Sequence, residues 1–234
     1  MNTSDKFIDR LYTTAVSPMP KEVAEEARHC LLDNLGAMIG GSSLLKDKTD
    51  RLLAGQPSCD GATVIHTGHR ASLQNAAMVN GMHTHVFDID DGNRLTSVHL
   101  GAVIIPAVMA VCEYRELSVE RLLIGMVVGY EAANRVAKCI QPAHRNRGFH
   151  ASGTCGEIGA AMGVAAALGF DKDMMKSALG AACTSAAGIL EMQENVSTMK
   201  PYNLGRLRTE SAQRFLQRQA SKAPRTRSWA SSDS

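Results

Sequence analysis

Aromatic residues are scarce in this chain: five Phe, four Tyr and a single Trp among 234 residues. Ala, Gly and Met are plentiful instead, a composition that suits closely packed helices with cores of small and adaptable side chains. An excess of one charge is missing too, since the formal net charge is only +2, too small to argue for nucleic acid or a membrane surface as a partner. The longest apolar stretch, Ala102 to Cys112, is too short to span a bilayer and is followed by Glu113 and Arg115. The N-terminal MNTSDKFIDRLY carries no signal-peptide pattern. The six cysteines form no CxxC pair, which points to reduced, mostly buried thiols in a cytoplasmic protein.

Helical periodicity dominates what remains. Residues 5–16 read as a first helix, ended by Ser17-Pro18-Met19-Pro20. A second starts at Pro20 or Lys21 and carries Ala24, Ala27, Leu31, Leu35 and Met38 at helical spacing. Gly40, Gly41, Ser42 and Ser43 are expected to end it, and residues 44–61 to form an irregular connection holding a short helix. Ala62 to His69 gives the one convincing strand signal, with Thr67-Gly68 as a turn. Helices are then predicted over 72–82, 101–112, 118–140, 151–168 and 171–190, with Ser118 as a cap and 141–149 as a loop. The fold class is all-α, a layered helical domain with at most a short β-hairpin near 62–69.

The stretch HTHVFDIDDGNRLTSVHLGA, His83 to Ala102, breaks the packed-helix pattern. It gathers three carboxylates, Asp88, Asp90 and Asp91, with three histidines, residue types that move protons near neutral pH. His83 and His85 are spaced by two and so point apart on a helix, which weakens them as metal ligands. A second candidate is Gly148-Phe149-His150 running into Ser152-Gly153-Thr154, where a helix N-terminus can hold an anion. A third is Lys200, after a polar loop. Each has an ordinary structural reading: a hydrogen-bonded histidine, a solvated acidic turn, a surface lysine.

Several segments in series favour the chemical reading. LLDNLGAMIGGS, ATVIHTGHRASLQNAAMVNGMHTHVFDIDDGNR, VHLGAVIIPAVMAV, GFHASGTCGEIGAAMGVAAALG and STMKPYNLGR together resemble the MmgE/PrpD family over about residues 5–206. That family includes 2-methylcitrate dehydratase, cis-aconitate decarboxylase and iminodisuccinate epimerase. The resemblance implies a large all-α domain followed by an α/β lid, a homodimer, and neither metal nor organic cofactor. By motif it assigns Asp88 and His99 from the D-x-D-D and H-P-G-A elements, His150 from G-[FY]-H-x-[TS]-G, and Lys200 from K-x-[LY]-[HN]-x-G. The catalytic expectation is therefore His99 and His150 as the proton-transfer pair, with Asp88 orienting an imidazole. Lys200, Ser152, Gly153 and Thr154 are expected to bind the carboxylates of a small polycarboxylate substrate. Two departures stand out: Gly92 where many members have Thr, and Leu100 where Pro is usual.

After Gly205-Arg206 the resemblance stops, and residues 206–234 read as a basic, Ser-rich tail with no lid behind it. Codons can be chosen for residues 220–233 that, read two nucleotides on, spell FQGPEDALVGFKR, the segment the family leads one to expect next. A frameshift near codons 205–208 is therefore expected, testable in the nucleotide sequence. The expected function is a lyase, dehydratase or decarboxylase, impaired by loss of its lid. An epimerase and a non-catalytic helical dimerisation fragment are the alternatives.

Overall fold

A computed structural model describes residues 2–55 and 59–190. Among these the chain forms eight helices and one two-stranded hairpin, so the all-α reading holds. Helix α1 (Thr3–Val16) opens with a capping box between Asn2 and Asp5. Helix α2 (Lys21–Ala54) follows Pro20 and runs for 34 residues. Strands β1 (Ala62–Thr63) and β2 (Arg70–Ala71) pair antiparallel around a turn with Gly68 at φ +73°. The Glu113 carboxylate clamps the hairpin, accepting from the Thr63 N–H and hydroxyl and from Arg70.

Helix α3 (Leu73–His85) is capped by Ser72, α4 spans Gly101–Tyr114, and α5 (Val119–Ile140) is capped by Ser118 as expected. The 141–149 connection includes a single turn, α6 (Ala143–Asn146). Helix α7 spans Ala151–Ala167. Helix α8 (Lys172–Ser185), capped by Asp171, ends sooner than predicted; past it the chain turns extended at Ala186 and passes Gly188 at φ +154°, where it pairs with residues 148–150.

The central layer is α4 and α7, both buried along nearly their whole length. Helix α7 packs most extensively against α5, and the sequence explains how. A Cβ at Gly125 would lie 2.8 Å from the Gly163 carbonyl oxygen, and one at Gly163 would lie 2.6 Å from that of Gly125; Gly129 and Gly159 repeat the exchange at 2.8 Å. Reciprocal glycines bring the two backbones together at a distance no side chain permits. One apolar cluster joins α3, α4, α5 and α7 through Val79, Ile104, Val108, Ala133 and Val164. A second joins α1, α5, α7 and α8 through Leu11, Val128, Met162 and Met175.

Two expectations are corrected here. Helix α2 does not end at Gly40–Ser43, and residues 44–54 continue it rather than forming a connection. A Cβ at Gly41 would lie 1.9 Å from the His83 carbonyl oxygen, so this glycine admits α3 rather than stopping α2. Nor are the thiols mostly buried: Cys112 and Cys155 are, Cys30 and Cys59 are partly so, and Cys139 and Cys183 are exposed. No helix of the described residues is long and apolar enough to cross a membrane.

Candidate active site

The loop between α3 and α4 carries the acidic run, and three devices fix it. Asn93 and Val98 form a bridge, the Asn93 N–H donating to the Val98 carbonyl at 2.9 Å. Val98 and Leu100 are buried on either side of His99, so hydrophobic burial of both neighbours pins the histidine between them. The Asp91 carboxylate accepts from the Gly101 N–H at 2.7 Å, capping α4, and from the Tyr130 hydroxyl at 2.8 Å. The turn that lacks proline at Leu100 is thus held by burial and by Asp91. Burial raises the Asp91 carboxyl above the usual carboxylate range, with the two hydrogen bonds opposing it.

Four side chains converge beyond that cap. His85, in the last turn of α3, sets Nδ1 2.9 Å from both oxygens of Asp90. His99 places Nδ1 3.2 Å from Asp90 Oδ2. The Nε2 atoms of both rings lie 3.9 Å from Asp88 Oδ1, and the rings meet edge to face at 4.7 Å and 70°. Burial pushes the Asp90 carboxyl up, but hydrogen bonds and charge from His85 and His99 outweigh it and bring it down to about 2. Asp90 is therefore ionised at any ordinary pH. Asp88, in the left-handed region at φ +58°, is 56% exposed and the His99 side chain 30%, which makes them the open rim of the cluster.

One donor atom from each of His85, Asp88, Asp90 and His99 lies within 4.8 Å of the others, near enough to share a divalent cation. His85 Nδ1 is, however, hydrogen-bonded to Asp90, and His99 Nδ1 is in ion-pair contact with it. Asp90 makes the short imidazole contacts, while Asp88, expected to orient an imidazole, stands farther off. His85 is the residue that sequence reasoning set aside. Its signal was there, five residues before Asp90 at the end of a helix, but nothing local says that the loop folds back onto it. His83 points elsewhere, is fully buried, and neither ring nitrogen has a hydrogen-bond partner among the described residues.

The second expected segment lies against the first. The His99 N–H donates to the Ser152 hydroxyl at 2.9 Å, so the His99 loop is tied to the first turn of α7. His150 is the N-cap of that helix and is buried. Its N–H donates to the Gly188 carbonyl, and the Leu190 N–H to that of Gly148, a short pairing that holds His150 in place. Ser152 and Gly153 are buried. Thr154 is partly buried, its hydroxyl 2.8 Å from His144 Nε2. Lys200 and the tail from 206 lie outside the described residues.

The chain has recognisable relatives among known proteins. Residues 6–209 match the MmgE/PrpD N-terminal domain. A cis-aconitate decarboxylase-like protein, oryM, from Aspergillus oryzae is 30% identical over 186 residues, 76% of this chain and 39% of that protein. A cis-aconitate decarboxylase from Aspergillus terreus is 27% identical over 186 residues, 76% of this chain and 38% of that protein. The chain thus spans about two fifths of the length of these relatives. On the match over residues 6–209, this chain belongs to the MmgE/PrpD family.

Proposed function

We propose that the chain carries the proton-transfer half of a lyase that decarboxylates or dehydrates a small di- or tricarboxylate. The observation that carries the reading is His99 held between two carboxylates, Asp90 at Nδ1 and Asp88 facing Nε2. Flanking negative charge favours the imidazolium, the form needed to deliver a proton. In decarboxylation the bond to the departing carboxylate breaks and carbon dioxide leaves. The electron pair delocalises into the adjoining unsaturated carboxylate, and His99 returns a proton to carbon. His150 is the second proton-transfer group. Lys200 and the positive end of α7, at Ser152, Gly153 and Thr154, bind the substrate's carboxylates. With Ser152 and Gly153 buried, that helix end acts through its dipole more than through side chains. Two relatives named as cis-aconitate decarboxylase or like it support an unsaturated tricarboxylate as substrate.

The rim at Asp88 and His99 is open to water among the described residues, and water weakens the electrostatic contacts such chemistry uses. Slow turnover is therefore expected of this chain. A homodimer is the expected assembly, supported by exposed Leu32 and Ile39 on α2 and by Phe87, which packs over Gly40. One observation favours a second reading, epimerisation of a dicarboxylate: Gly92 presents no side chain to His99, where a Cβ would stand in ordinary contact, 3.8 Å from the ring. No hydroxyl stands there to assist a leaving group.

The test is incubation of the purified chain with cis-aconitate, 2-methylcitrate and iminodisuccinate, each followed by NMR. Loss of carbon dioxide or water supports the lyase, and racemisation of iminodisuccinate the epimerase. No change in any of them, with helical circular dichroism retained, overturns both in favour of a non-catalytic helical fragment. Full activity of His150→Ala would overturn its assignment.

A further inference from the structure

We infer that Asp90 and His85 are the positioning residues of this site, one buried carboxylate holding the Nδ1 edge of two imidazoles so that both present Nε2 toward Asp88. An ionised carboxylate only accepts hydrogen bonds, so a ring nitrogen in contact with it must bring the proton. His85 Nδ1 lies 2.9 Å from both Asp90 oxygens and His99 Nδ1 lies 3.2 Å from Oδ2. The neutral His85 ring, hydrogen-bonded to Asp90, is therefore protonated at Nδ1 and keeps its lone pair on Nε2, and the ion-pair contact of His99 Nδ1 with the same carboxylate favours the same tautomer there. Both Nε2 atoms lie 3.9 Å from the same oxygen, Asp88 Oδ1.

Exposure separates the two rings. The side chains of His85 and Asp90 are fully buried, whereas that of His99 is 30% exposed. Only His99 meets a substrate; His85 acts through Asp90 and through its edge-to-face contact with the His99 ring. The arrangement answers a mechanical need. Asp90 and His99 both lie on the loop between helices, and His85 anchors them to the end of α3. A carboxylate that fixes tautomer and ring orientation is worth a large factor in rate where a histidine transfers protons.

The part these residues play in turnover rests on the lyase reading; the tautomer does not. The test uses the full chain labelled with 15N-histidine and long-range 1H–15N correlation, in which Nδ1–H and Nε2–H rings differ. His85→Gln and His99→Gln each delete one ring and so assign it among the eight histidines. The neutral forms of both rings are expected to be Nδ1–H. Asp90→Asn offers one acceptor and one donor where two acceptors stood, and is expected to move at least one ring to Nε2–H while the chain stays helical. Where the chain turns over a substrate, the same variant is expected to lower kcat on the order of 10²-fold or more with KM little changed. An Nε2–H tautomer at either ring in the unsubstituted chain overturns the inference, as do unchanged tautomers or unchanged kcat in folded Asp90→Asn. Should that variant unfold, the tautomers of the unsubstituted chain still decide. Nδ1–H at both rings without turnover of any substrate supports the positioning and overturns the lyase.

Discussion

The His99 N–H donates to the buried Ser152 hydroxyl at 2.9 Å, across 53 residues of sequence. This bond joins the acidic loop to the helix that His150 caps. Ser152→Ala removes the acceptor and leaves the N–H inside the protein. We expect a loss of about 1–3 kcal/mol, the cost of an unsatisfied buried donor, read as a lower urea midpoint at unchanged m-value. Turnover should fall with it, because the loop that aims His99 loses its tie.

Gly41→Ala should destabilise more than an ordinary surface change. A Cβ there would meet the His83 carbonyl oxygen at 1.9 Å and the Val86 side chain at 2.8 Å, so α2 and α3 must move apart. Overpacking of this kind costs about 1–3 kcal/mol, and backbone as the obstacle places this case at the upper end. Thermal unfolding followed by circular dichroism measures it; a midpoint equal to that of the unsubstituted chain would show that the helices give way freely.

His83 makes stability depend on pH. Burial, with the neighbouring His66 adding to it, lowers its pKa from 6.5 to about 4, so the unfolded chain binds the proton more readily than the folded one. Stability from this group is complete above pH 6.5 and is lost as pH falls through about 4. The difference amounts to about 3 kcal/mol. His83→Leu should flatten the stability profile over that window by comparison with the unsubstituted chain, in chemical denaturation at half-unit steps of pH.

Gly92→Thr tests the space beside His99. The new Cβ would stand in ordinary contact, 3.8 Å from His99 Cε1 and Nδ1, so stability should change by no more than about 0.5 kcal/mol. A hydroxyl in that place should raise lyase turnover several-fold. An unchanged rate on cis-aconitate would remove Gly92 from the account of specificity.

Sequence reasoning reached the helices through apolar spacing and through caps whose mechanism is local: Ser118 accepts from the Arg121 N–H and Asp171 from that of Met174. It failed at Gly40–Ser43 because glycine and serine serve equally as a helix stop or as a close-packing surface. A partner 42 residues away, the His83 carbonyl, decides between the two. The same limit hid His85. Its spacing from His83 correctly said that the two rings diverge, but only the fold of the loop says which of them meets Asp90.

What the sequence determined by itself is the all-α class and the order of the helices, since each depends on spacing within one segment; Asp88, His99 and His150 are singled out by the family resemblance. What tertiary structure decided is which carboxylate serves the histidines. Asp90 meets His85 and His99, and Asp91 caps α4. Adjacent aspartates in a loop are chemically equivalent until burial gives one of them two imidazoles and the other a helix end.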